Sequence, residues 1–199
     1  MPKRKYISIA EDENEGETTT PSNIHVTNNH IYFYEEVTKK STLDLIATIQ
    51  ELIKENKKMA IDFDLEDPPP IYLHINSPGG LLIEAFAIID IILNCPIKII
   101  SIIEGQAASA ATLISVVCDE RWIRPNASML IHELRGGNCG KYSEIETDMD
   151  NLSDLMDKLK NIYLNYTKLT NKDLAKILPK DRDWDAEKCK KFGLVDLIV

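Results

Sequence analysis

The residues that could do chemistry gather at two turn-helix junctions and one strand end. Ser109, in GQAASAA, follows an apolar run and stands where a helix begins, so free backbone N–H groups and the helix dipole would favour negative charge beside its hydroxyl. Ala107, Ala108, Ala110 and Ala111 around it are small enough for a substrate backbone to approach. The same placement also fits a serine that only caps a helix. SPGG at 77–80 puts two glycines after another apolar run, either as a simple tight turn or as a turn whose N–H groups face a cleft unobstructed, as an oxyanion hole requires. His132, in SMLIHE, closes an apolar segment and is the one histidine placed to take a proton from Ser109. His25 and His30 lie in or near an N-terminal tail, and His74 is in mid-strand. A carboxylate to orient His132 must come from elsewhere. Asp181, Asp183 and Asp185 are the candidates, and each could equally cap the helix that ends before Gly193.

These groups need a scaffold that ends several strands at one edge. IYFYEEV at 31–37 is β-branched and aromatic, and Ser41 with Asp44 makes a capping-box-like helix start; Leu45, Ile46, Ile49, Leu52 and Ile53 then share a helical face. EDPPP at 66–70 stops that helix, and IYLHIN at 71–76 resumes as a strand running into SPGG. Leu81–Leu93 is nearly unbroken apolar sequence and predicts a helix buried on all sides, closed by Pro96. IKIISII at 97–103 predicts a second buried strand, then GQAAS and a short apolar helix toward Cys118. Strand, turn, helix repeated in this way predicts an α/β fold with right-handed crossovers and a largely parallel sheet, where ligands sit at the carboxyl ends of strands. From Ile145 to Tyr166 apolar residues recur every three or four positions, which predicts a helix over about 143–168. At 1.5 Å per residue it is about 40 Å long, fit either to pack on the sheet or to serve as an arm that meets another subunit.

The chain has 199 residues, 44% of them hydrophobic and 28% charged, which fits one compact domain over 24–199 behind a flexible polar tail, residues 1–23. With 32 acidic and 23 basic residues the net charge is −9, which disfavours nucleic acid, and no basic stripe is present. The most apolar stretch is interrupted by Glu84, Asp90, Asn94, Pro96 and Lys98, so a membrane span is not expected. The four cysteines form no metal-ligand spacing and are expected to be reduced and structural; with no secretory h-region, the expected address is cytoplasmic.

INSPGG at 75–80, GQAAS at 105–109, MLIH at 129–132 followed by Gly136–Gly137, and KFGLVD at 191–196 together resemble the proteolytic subunit of the Clp protease, the ClpP family of serine peptidases. The resemblance runs from about Ile31 to Val199. It implies a ClpP/crotonase-type fold with stacked sheets, flanking helices and a protruding handle helix, and stacked heptameric rings enclosing a proteolytic chamber. It implies Ser109 as nucleophile, His132 as base, Asp181 (twelve positions before Gly193) as the third member with Asp183 as fallback, and the Gly80 and Ala110 N–H groups as oxyanion hole. The implied partners are further copies of the chain, unfolded protein substrates, and an AAA+ unfoldase that uses ATP. The chain has no GxxxxGK[ST] loop, and no cofactor or metal of its own is expected. It departs from the family pattern in Ala110–Ala111 after the serine and Glu133–Leu134 after the histidine. The alternatives are a crotonase-like acyl-CoA enzyme and an inactive structural ring subunit.

Overall fold

A computed structural model describes residues 24–137 and 139–199; the expected tail, residues 1–23, lies outside them. The chain runs β1 (Ile24–Thr27), β2 (His30–Phe33), α1 (Lys39–Asp62), β3 (Ile71–Ser77), α2 (Leu82–Leu93), β4 (Ile99–Ala108), α3 (Ala110–Val116), β5 (Glu120–Ile123), β6 (Ser128–Leu130), α4 (Tyr142–Tyr166), α5 (Asn171–Ile177), β7 (Asp183–Asp185), α6 (Ala186–Lys191) and β8 (Leu197–Ile198). The main sheet has the order β1-β2-β3-β4-β5-β8, parallel except for the β1–β2 hairpin, with a β6–β7 ribbon branching from β4. The α/β class and the predominantly parallel pairing follow the sequence expectation.

The branch is what builds the site. Ile100–Ile103 of β4 pair with β5, whereas Gln106–Ala108 pair with β6, and the chain bends between the two halves at Gly105 (φ 76°). The predicted second strand is therefore longer than IKIISII, because the small residues of GQAA extend the ladder to the elbow at Ser109. Ile31, Leu73, Ile75, Ile99 and Ile103 lie in the core beneath the helices, each at most 1% exposed.

Four details differ from the sequence reading. The β1–β2 hairpin brings His30 into the sheet, because Asn28 takes the left-handed turn conformation (φ 54°) that closes it. Helix α1 is capped by Thr38, with Ser41 at its third position: Ser41 N donates to Thr38 Oγ1 (3.2 Å) and Thr38 N to Ser41 Oγ (2.9 Å). Helix α2 buries Ala85, Ile88, Ile89 and Ile92 but leaves Ile83 60% exposed and Leu93 45% exposed, since its neighbours α1 and α3 leave one side of it uncovered. Helix α4 packs by its second half, where Leu159 and Tyr163 are buried; Ile145 and Met149 in its first half are exposed. Among the described residues no helix is long and apolar enough to cross a membrane.

Candidate active site

β4 and β6 are parallel neighbours in the register Gln106↔Ser128 and Ala108↔Leu130. Ser109, one residue past β4, and His132, two past β6, consequently emerge at the same edge, stitched by the Ser109 N–H donating to Leu130 O at 2.8 Å. β7 runs antiparallel to β6 with Leu130↔Asp183. Extending that register by two residues sets Asp181 opposite His132. Three segments far apart in sequence thus meet through strand pairing alone.

Ser109 has φ 54° and ψ −124°, a backbone region that costs a non-glycine residue about 1–3 kcal/mol and is characteristic of functional elbows between strand and helix. A capping serine would be extended and would accept an N–H from the first turn, and Ser109 does neither. Its hydroxyl is not spent on the helix. The elbow is held from below: Thr112 donates its hydroxyl to Ser109 O at 2.6 Å and its N–H to the same oxygen at 3.0 Å. Tyr163 of α4 lies 2.5 Å from Thr112 Oγ1; since the threonine proton is already committed, the phenol is the donor. Burial pushes the Tyr163 phenol well above its ordinary value, so it remains a donor at any working pH.

The SPGG turn presses against this elbow. A Cβ on Gly80 (φ 144°) would sit 2.3 Å from Val37 O, and one on Gly79 would sit 2.8 Å from Ser109 Cβ, so neither position admits a side chain. Val37 bridges to Gly80 through Val37 N to Gly79 O (2.6 Å) and Leu81 N to Val37 O (2.8 Å). Both bonds belong to the residues flanking Gly80, which leaves the Gly80 N–H directed away from Val37. Gly80, Ser109, Ala110 and His132 line one cavity of about 360 Å³, whose walls include Glu36, Leu82, Glu133 and Arg135.

The three aspartates separate cleanly. Asp183 Oδ1 accepts from Gln106 Nε2 at 2.7 Å, and Asp185 Oδ1 caps α6 by accepting from Lys188 N at 2.8 Å. Asp181 alone approaches His132, with Oδ1 3.8 Å from Nδ1. That distance is beyond a hydrogen bond, and the buried Nδ1 atom has no hydrogen-bond partner. The other Asp181 oxygen is taken by the Arg135 guanidinium.

A sequence model of the Clp protease family matches residues 13–199, nearly the whole chain. The chain belongs to the Clp protease family. By family it is a ClpP-like serine protease, and its mixed α/β architecture is the one that the family resemblance implies. Membership takes away the ground for a crotonase-like acyl-CoA enzyme.

Sequence reasoning singled out Ser109, His132, Gly80, Ala110 and Asp181 but missed Glu36 and Arg135 on the cavity wall and the Thr112–Tyr163 support of the elbow. Thr112 drew no notice within the short apolar helix, and Tyr163 lay within an apolar seam. The signal was Tyr163 itself, since a phenol at a buried position needs a polar partner. Arg135 carried no sequence signal, because the register that brings it to Asp181 depends on the β6–β7 ribbon.

Proposed function

We propose that this chain is the serine endopeptidase subunit of a self-compartmentalised Clp-type protease that cuts unfolded polypeptides into short peptides. Ser109 Oγ attacks the scissile carbonyl while His132 accepts its proton and passes it to the leaving amine. Water, activated by the same imidazole, then releases the acyl group. Asp181 steadies the imidazolium, and the N–H groups of Gly80 and Ala110 receive the oxyanion. The observation that carries this reading is the strained Ser109 elbow, whose hydroxyl is not used for capping and which lines one cavity with His132 and Gly80. Glu133 and Glu36 on the wall give that cavity an acidic lining beside the single guanidinium of Arg135.

Family membership supports a ring-forming subunit served by a Clp ATPase, and we assign two stacked heptamers, an AAA+ unfoldase that spends ATP on this chain's behalf, and a cytoplasmic setting. The chain itself needs no cofactor for the chemistry described. An inactive ring subunit is the competing reading. Hydrolysis of a fluorogenic peptide by the purified particle decides between them: the wild type should cleave, while Ser109→Ala and His132→Ala should each lose on the order of 10⁶ in rate, with the double variant no worse. Undiminished cleavage by Ser109→Ala would remove the serine mechanism, and an inert wild type in intact rings would favour the structural subunit.

A further inference from the structure

The contacts of Asp181 are unusual for a residue meant to steady a histidine. One carboxylate oxygen is bonded to Arg135, a side chain 73% exposed, while the other stands 3.8 Å from His132 Nδ1. His132 is only 12% exposed, and its Nδ1 has no hydrogen-bond partner. A buried polar atom left unpaired is costly, whereas an ion pair at this degree of exposure is worth little, so the hold of Arg135 on Asp181 is weak against the claim of His132. A sub-ångström movement of the carboxylate would settle the balance in favour of His132.

We propose that Arg135 is a positioning residue that withholds Asp181 from His132, so that the triad engages only when the guanidinium lets go. The inference rests on the serine-peptidase reading above. The backbone that carries Arg135 is tethered, so release needs only the guanidinium to swing away. Glu133 N donates to Leu178 O at 2.9 Å, Leu134 N to Met156 Sδ at 3.2 Å, and Gly136 lies against Leu152, so the segment is seated between α5 and α4. Two other carboxylates, Glu36 and Glu133, line the same cavity as Arg135 and can receive the guanidinium once it leaves Asp181. The arrangement needs no new covalent chemistry: it sets how often His132 is oriented when substrate arrives.

The test compares wild type, Arg135→Gln and Arg135→Lys at increasing sodium chloride, with particle size checked by sedimentation at each concentration. It reads kcat and KM for a fluorogenic peptide and the rate of Ser109 labelling by a fluorophosphonate. Because an exposed pair is weak, Arg135→Gln should raise kcat and the labelling rate by about three- to fivefold with KM little changed. The wild type should climb toward the variant as salt screens the pair, Arg135→Gln should ignore salt, and Arg135→Lys should stay close to wild type. A purely structural arginine would not produce a salt response that vanishes on its removal. Labelling of the wild type with Arg135→Gln equal to it or slower would overturn the inference alone. If no form labels, the peptidase reading falls and takes the inference with it.

Discussion

The three aspartates before α6 offer a quantitative test, because the fold gives each a different task. Asp181 is the only one near His132, and it is 52% exposed with its carboxylate divided between two partners. The loss on Asp181→Asn should therefore fall short of the ~10⁴ seen for a fully engaged buried triad aspartate. A charge-assisted hydrogen bond contributes about 1.5–3 kcal/mol, so kcat/KM should drop roughly 10- to 100-fold. Asp183→Asn keeps an oxygen for the Gln106 amide and should stay within about twofold of wild type, since the bond it preserves is an exposed surface contact. Asp185→Ala removes the cap of α6 and should cost about 0.5–2 kcal/mol of stability with kcat unaltered. Peptide hydrolysis and thermal unfolding on the three variants in parallel supply the readout. An equal loss of activity in Asp183→Asn, or a silent Asp181→Asn, would refute the register argument that sets Asp181 opposite His132.

Other consequences are independent of that argument. Tyr163→Phe should lower stability by about 0.5–1.5 kcal/mol and reduce kcat several-fold by loosening the Ser109 elbow, and unchanged kinetics would mean that Thr112 holds the elbow alone. Burial by itself would raise the Glu104 carboxyl, but hydrogen bonding from Tyr34, with His74 and Arg124 beside it, outweighs burial and holds it below the usual carboxylate range. Its stabilising contribution is full above the ordinary carboxylate range and disappears as pH falls through the depressed value. Glu104→Gln should therefore flatten the loss of melting temperature in acid, and an unaltered acid slope would count against this. On α4, Leu152 and Met156 are half-buried against the subunit, so the apolar residues of its seam most open to another copy include Ile145 and Met149. Ile145→Asp with Met149→Asp should yield smaller particles of folded subunit by sedimentation, whereas full-sized particles would show that this half of the helix lies outside the assembly contact.

Much of this was readable before any coordinates, for reasons that differ from place to place. INSPGG and GQAAS could be read as strand-to-turn junctions because glycine and small residues after apolar runs have few other uses, and the structure puts both beside one cavity. The length of α4 followed from periodicity alone, but not which half is covered, since periodicity marks a face without naming its partner. The nearly unbroken apolar sequence of α2 misled for a related reason: Ile83 and Leu93 are exposed in the single chain although nothing in their residue type says so. Composition could not separate Asp181 from Asp183 and Asp185; the family resemblance pointed to Asp181 by its distance from Gly193, but the physical reason, the antiparallel pairing of β7 with β6, was hidden because a three-residue strand has too little sequence to announce itself. The hold of Arg135 on Asp181 was out of reach for the same reason.

The central claim is that Ser109 is an activated nucleophile, and covalent capture tests it most directly. The intact particle, treated with a fluorophosphonate and examined by intact-mass and peptide-mass spectrometry, should carry one adduct per chain on the peptide containing Ser109, with peptide hydrolysis disappearing in step with labelling. Ser109→Ala should take up none. An unlabelled Ser109 in a correctly assembled particle, or an adduct on another residue that tracks the loss of activity, would contradict the account.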